Sequence, residues 1–299
     1  MFLVLKDVAV SRHLVGAAAS LTYAGADQDG EPVDPGTVTV AITDFAGNAV
    51  TAGAVTGSGN TRAVAVTAAN NQVLDRWTAV WSVAGATVAT TQHDIVGGFY
   101  ATVADMRANT VLLSPTAHPA AELLKVRSEV EYQIEEMCRR SFVPRFASQV
   151  VSGSGRVIQE LAFPDLREVL SAEYWTGSAW EAMPVTVADI PANVDGRASL
   201  RLASWPAGVW PLGTNNVRVS YSYGWDRPPA DLKRAAVKAI EYRRTGDNSG
   251  IPSRSLSVQG TELGNVVLAT PGLGKWITAI PEVDIVINSY KRKSLGVSR

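Results

Sequence analysis

A single cysteine, Cys138, excludes an intrachain disulfide and fits a chain that folds in a reducing cytoplasm. The three histidines, His13, His93 and His118, stand far apart without the H-E-x-x-H or Cys/His spacing of a zinc site, so each is read as an ordinary surface or turn residue. There is no G-x-S-x-G elbow. No apolar run reaches the length of a membrane span, and the start, Met1 to Asp7, is too short for a secretory signal. A soluble protein made in the cytoplasm, with no membrane partner, is therefore expected. The formal net charge is only −1, so no global excess of positive charge draws the chain to nucleic acid.

The 299 residues suffice for two domains, and a composition of 46% hydrophobic and 18% charged residues is that of a folded chain, not a disordered one. The charge is unevenly divided. Residues 1–100 hold four Lys/Arg against eight Asp/Glu, whereas the chain ends on Lys291, Arg292, Lys293 and Arg299 with no acid after Asp284. That basic end reads as a solvated terminus or as an arm for an acidic partner.

Period-two alternation marks residues 1–96 as all-β, in Ala19–Tyr23, Val38–Ile42, Ala63–Thr67 and Trp77–Val83. Turn clusters such as Asp34-Pro35-Gly36 and Asp44 to Asn48 separate these runs. The pattern predicts an immunoglobulin-like β-sandwich over 1–97, with Trp77 and Trp81 of one parity filling the core where antibody domains carry a disulfide. Gly97-Gly98 is the expected boundary, and Thr102 with Asp105 forms a capping box. Over 117–140, Leu123, Val130, Ile134 and Met137 share a helical face with Cys138 beside them, and Arg139 and Arg140 are expected to close the last turn. Residues 145–224 return to β-structure. After Pro228-Pro229 a helix runs over 230–245, with Leu232, Ala235, Ala236, Ala239 and Ile240 as a small-residue face. Asn265 to Leu268 is a candidate strand, and Pro281 opens a helix over 281–291. The fold class is α+β: an N-terminal all-β immunoglobulin-like sandwich, then a helical domain over 98–299 with an inserted β subdomain.

Few motifs carry chemistry. Pro271 to Trp276 superficially resembles a phosphate loop but has neither the first Gly nor the Ser/Thr after Lys275. Asp27-Gln28-Asp29-Gly30-Glu31 has calcium-loop character, yet no carboxylate stands where the bidentate ligand is needed, so an inter-strand turn is expected. Cys138, on an apolar helix face, reads as a small hydrophobe. The eight tryptophans, at 77, 81, 175, 180, 205, 210, 225 and 276, are scattered, which suits core and subunit contacts better than a sugar platform. No catalytic residue, cofactor or metal is assigned, and the chain is read as a protein without enzymatic activity.

Residues 122–146, Glu122 through Phe146, carry a core pattern of Arg127, Val130, Ile134, Cys138, Arg140, Phe142, Pro144 and Arg145. Val219 to Trp225 is followed by Pro228 to Lys233, and Ile280 to Asp284 by Asn288-Ser289-Tyr290. In order and spacing these three stretches resemble the head-to-tail connector, or adaptor, proteins of long-tailed, siphovirus-like bacteriophages. The likeness covers about residues 100–299. The N-terminal sandwich and the long inserted β segment exceed the minimal family pattern and more weakly resemble adaptors of phages infecting actinobacteria. The resemblance implies a virion protein at the head–tail junction, in a homo-oligomeric ring, typically dodecameric, between the portal protein and a stopper or tail-terminator protein. Genomic DNA would touch the lumen only transiently. By position it implies portal contacts at Val283, Val286, Ile287, Tyr290, Lys291, Arg292 and Lys293. The acidic side of the first long helix, Glu129, Glu135 and Glu136, would face the lumen. Two other readings stand beside it: a tail or baseplate subunit with an immunoglobulin-like decoration, and a carbohydrate-binding or hydrolytic module.

Overall fold

The computed structural model describes residues 11–27, 29–108, 110–163, 165–183, 198–201, 209–245, 255–258, 266–268, 278 and 280–291. The chain is a mixed α+β protein, and its described residues are built around three separate hydrophobic cores.

The first core lies between two β-sheets. Strands β1 (Ser11–Leu14), β6 (Ala86–Val96), β5 (Asp75–Val83) and β3 (Val38–Thr43) form one sheet in that order; β2 (Ala19–Ala24) and β4 (Thr61–Val66) form the other. Alternation places Leu21, Val64, Val66, Trp77, Ala79 and Trp81 inside, and Tyr23 stacks on Trp81 with ring centroids 5.7 Å apart. The β5–β6 turn runs through Ala84 and Gly85, both with positive φ, the backbone twist that two-residue hairpins favour. β1 carries no apolar alternation. It pairs parallel to β6, Ser11 opposite His93 and Leu14 opposite Val96. Asp27 folds an Asx turn as expected, its carboxylate accepting from the backbone N–H groups of Asp29 and Glu31.

The second core is helical. Thr102 caps α1 (Val103–Arg107) through the capping box read from the sequence. α2 (Ala120–Cys138) is shorter at both ends than expected: it begins after Pro119 and stops where Arg139 turns left-handed at φ 53°. Arg139 and Arg140 therefore lie beyond the last turn, and Arg140 pairs with Asp165 instead. α3 (Ala230–Thr245) and α4 (Pro281–Tyr290) complete the unit. Leu123, Val130, Ile134 and Cys138 of α2 meet the small-residue face of α3, which lets the two backbones approach closely. Arg244 to Glu122 at 2.7 Å and Arg243 to Glu129 at 3.4 Å clip the end of α3 onto α2.

The third core belongs to the inserted β segment. β7 (Arg145–Gly153), β12 (Gly213–Tyr223), β9 (Leu166–Trp175) and β10 (Trp180–Ala182) form an antiparallel sheet, and β8 (Ile158–Leu161) pairs with β11 (Ala198–Arg201). Trp210, Val217, Val219 and Tyr221 fill it. β13 (Ser255–Val258) and β14 (Val266–Leu268), the latter matching the candidate strand at 265–268, make a separate antiparallel pair. The units touch at close points. A Cβ on Gly97 would lie 2.6 Å from the Cβ of Pro144, and Phe45 of the sandwich lies 5.2 Å from Phe146.

Candidate functional site at the helical junction

The three segments that are far apart in sequence, 122–146, 219–233 and 280–290, come together in one place. β12 is followed by Gly224, whose φ of +100° and close approach to the Val143 carbonyl leave no room for a side chain. The next residue, Trp225, packs edge-on against Phe142 at 5.3 Å, and Tyr290 of α4 closes the cluster at 5.4 Å from Phe142 and 6.1 Å from Trp225. The Tyr290 hydroxyl donates to Asp231 in the first turn of α3, at 2.9 and 3.0 Å to its two oxygens. Burial and the Asp231 carboxylate push that phenol above its usual pKa. Cys138 faces the Ile287 carbonyl at 3.7 Å, and burial pushes its thiol up to about 12, so it packs as a small apolar residue.

This packing corrects the expected portal contacts. Val283 and Ile287 are each 1% exposed and are used inside the chain, because the apolar stripe of α4 faces α2 and α3. Val286 and Tyr290 are half-buried and Lys291 is exposed; Arg292 and Lys293 lie outside the described residues, as do the 271–276 loop, Trp205, Trp276 and Gln28. Outward on α4 stands Ile285, 63% exposed, which the stripe argument passed over. α1, α3 and α4 border an open groove of about 530 Å³, floored by Ala108, Val237 and Val286 and edged by Arg234 and Glu282.

The expected lumen face is corrected in the same way. Glu136 is exposed and Glu129 is exposed but tied to Arg243, whereas Glu135 turns inward. It joins a charged cluster where the sandwich, α2 and β7 meet. Arg145 lies 2.9 Å from Glu135 and 3.4 Å from Glu131; Arg12 of β1 reaches the same two carboxylates at 2.5 and 3.3 Å. Arg127, one turn before Glu131 on α2, sits 3.8 Å from it and lies flat over Phe99 at 3.5 Å. The Tyr100 backbone N–H donates to Glu131 at 2.7 Å. Burial pushes the Glu131 carboxyl up against the pull of Arg145 and Arg12. At Glu135 burial acts in the same direction, but Arg145 and Arg12 outweigh it and hold the group down. Burial lowers Arg145, and the two glutamates more than reverse that. Such a cluster has no free nucleophile; it joins units mechanically, and its cost in desolvation is offset only while the partners stay in place.

His93 departs from the surface reading as well. It is 3% exposed, with Ser11 Oγ 2.5 Å and His13 Nε2 3.2 Å from its Nδ1, and Thr91 Oγ1 2.8 Å from its Nε2. Neither the His13–His93 pair, 80 residues apart, nor the reach of Arg12 to Glu135, 123 residues apart, has a local sequence signature. Among the described residues no group of three or more His, Cys, Asp or Glu is arranged to hold a metal ion, and no helix is long and apolar enough to cross a membrane.

No protein-family model matches the chain, and the search of curated proteins finds no match. Among solved structures, the neck of an empty gene transfer agent particle, with C6 symmetry, is similar at 13% identity and a TM-score of 0.43, covering 66% of this chain and 92% of that one. The neck of a native gene transfer agent particle, with C12 symmetry, is similar at 12% identity and a TM-score of 0.41, covering 68% and 98%. The Lin-41 filamin domain is similar over 29% of this chain and 85% of its own, at 15% identity and a TM-score of 0.25. With TM-scores below 0.5, these likenesses carry no argument about fold or function.

Proposed function

We propose that this chain is a structural component of the neck of a tailed, phage-like particle: a head-to-tail adaptor without enzymatic activity. It would form a ring, typically of twelve copies, between the portal and a stopper or tail-terminator protein. The particle is of the siphovirus type, the N-terminal unit is an immunoglobulin-like sandwich projecting from the ring, and genomic DNA passes the lumen with transient contact.

One observation carries the reading. The three stretches whose order and spacing resemble phage connectors are the ones that build a single unit, joined by the Phe142–Trp225–Tyr290 cluster, the Tyr290–Asp231 hydrogen bond and the Cys138–Ile287 contact. Three weak sequence likenesses that also converge in space support a shared architecture more than any one of them does. The remaining portal-contact proposal rests on Val286, Tyr290 and Lys291, with Ile285 added for its exposure. Among the described residues, Glu136 is the exposed acidic residue of α2 outside any ion pair, and it is the one offered to a lumen. A closed ring also satisfies a head-to-tail interface without leaving free ends.

The test is co-sedimentation of the purified full chain with portal rings from the same genome, followed by electron microscopy. A ring seated on the portal is expected, weakened by Ile285→Asp with Lys291→Glu. Failure to bind portal at any salt concentration, or location of the tagged chain in the tail tip of whole particles, would overturn the proposal.

A further inference from the structure

β1 belongs to two units at once. Its side chains alternate between the faces of the sheet. Ser11 and His13 turn to the sandwich core and meet His93, while Arg12 turns the other way and reaches Glu131 and Glu135 of α2. We propose that β1 is an acid-released latch, a four-residue edge strand that holds the sandwich against α2 and is freed when its histidine pair takes up protons.

The charges permit release. Without Arg12, the two glutamates still face two arginines, Arg127 and Arg145, and Arg145 alone contacts both carboxylates. The helical unit therefore keeps a neutral, partnered cluster after β1 leaves. Arg12, by contrast, is the cation that spans from the sandwich to α2 among the described residues. β1 is also short and at the sheet edge; among the described residues β6 is its strand partner, and the Asn71 side-chain amide donates to the Leu14 carbonyl at 2.9 Å.

The histidine seam supplies the trigger. His13 and His93 have ring centroids 5.3 Å apart, so two imidazolium ions there would repel. Besides His13, the partners of His93 are the hydroxyls of Ser11 and Thr91, which serve a neutral ring, and Trp81 donates to the same Thr91 oxygen. On that face the charged neighbour is Asp75 of β5, in the row of His13 and Ile95; burial raises its carboxyl, against the pull of the Arg76 and Phe45 backbone N–H groups. The opposite sheet presents Ala19, Leu21, Val64 and Val66, with Tyr23 and Arg62 in the same rows; Tyr23 stacks on Trp81, and Arg62 is paired with Asp34 and bonded to the Gly36 and Gly59 carbonyls. Arg12, Asp94 and Arg76 occupy the other face, with Arg76 bonded to Asp94 at 2.8 Å. Burial lowers both histidines, His93 to about 4.

The sign follows directly. A histidine kept neutral in the latch but free to charge after release, near its ordinary 6.5, favours release by up to about tenfold per pH unit as pH falls below 6.5, levelling off for His93 near 4. The experiment is hydrogen exchange on the full chain at about pH 7 and pH 5, corrected for intrinsic rates, together with electron-spin distances between labels at Thr39→Cys and Ala121→Cys. Native Cys138 is buried and stays unlabelled. Opening of β1 is expected to rise at least tenfold while β5 and α2 keep their protection, and the label distance is expected to broaden. His13→Gln with His93→Gln should flatten the pH response; should that pair not fold, His13→Gln alone should reduce it. Arg12→Met should open β1 at both pH values. Equal protection of β1 at both pH values, joint loss of β1, β5 and α2, or an unchanged response in the histidine variants would each overturn the latch.

Discussion

Replacing Arg145 by methionine keeps most of the side-chain volume and removes one charge from the junction. Arg145 is 4% exposed in its side chain, contacts Glu135 at 2.9 Å and Glu131 at 3.4 Å, and donates to the Gly98 carbonyl at 3.3 Å. At an effective dielectric of about 20, each ion pair at about 4 Å is worth roughly 4 kcal/mol before desolvation. Removing one member of a buried pair typically costs about 3–5 kcal/mol, because the other charge is stranded. Here Arg12 and Arg127 remain, so the lower end, about 3 kcal/mol, is expected for Arg145→Met. Arg12→Met should cost less, about 1–2 kcal/mol, since Arg145 still serves both glutamates. Urea unfolding followed by helical circular dichroism gives the values. Adding Glu135→Gln to Arg145→Met should recover about 1 kcal/mol or more, since it removes the stranded charge. The penalty of Arg145→Met should also shrink as pH falls, because burial raises the Glu135 carboxyl once its main cation is gone and it takes up a proton more readily. A cost under about 1 kcal/mol, or strict additivity of the two substitutions, would refute this account of the cluster.

Gly224→Ala, with φ at +100° and its new Cβ 2.3 Å from the Val143 carbonyl oxygen, should lower the thermal midpoint far more than Gly16→Ala, where φ is +74° but nothing lies within 4 Å; about 3 kcal/mol against about 1 is expected. Cys138 should resist maleimide at pH 8 in the native state and react only as fast as the helical unit opens, measured by mass spectrometry. The Asp105 carboxyl is held down to about 2, first by its hydrogen bond from Lys233 and then by Thr102 in the capping box. Its depressed value adds stability above pH of about 4 that fades as pH falls toward 2; with the Lys233 pair discounted for its exposure to solvent, Asp105→Asn should cost about 1 kcal/mol at neutral pH and little at low pH in a denaturation series.

Much of the architecture is legible from local rules. Pro228-Pro229 and the small-residue stripe fix α3 at the bounds read from the sequence, Thr102 and Asp105 announce α1, and the shared parity of Trp77 and Trp81 places both indoles inside. The unread parts depend on partners distant in the chain. β1 is Ser-Arg-His-Leu, with no apolar alternation, and it is a strand because β6 receives it. Glu131 and Glu135 have the spacing of an exposed acidic stripe, and only Arg12 and Arg145, from other elements, show that the stripe is covered. On α4 an apolar stripe signals burial without saying against what; Val283 and Ile287 find their partners inside the same chain, so the stripe gave no guide to an external contact.

The parallel pairing of β1 with β6 also orders events during synthesis. Ser11 waits for His93, 82 residues later, and Arg12 waits for Glu135, 123 residues later. At ribosomal speeds of about 5–20 residues per second, β1 waits roughly 4–16 s for its partner strand after it is polymerised. Until β6 is made, Ser11–Leu14 lack the strand they pair with and stay open to chaperones and proteases.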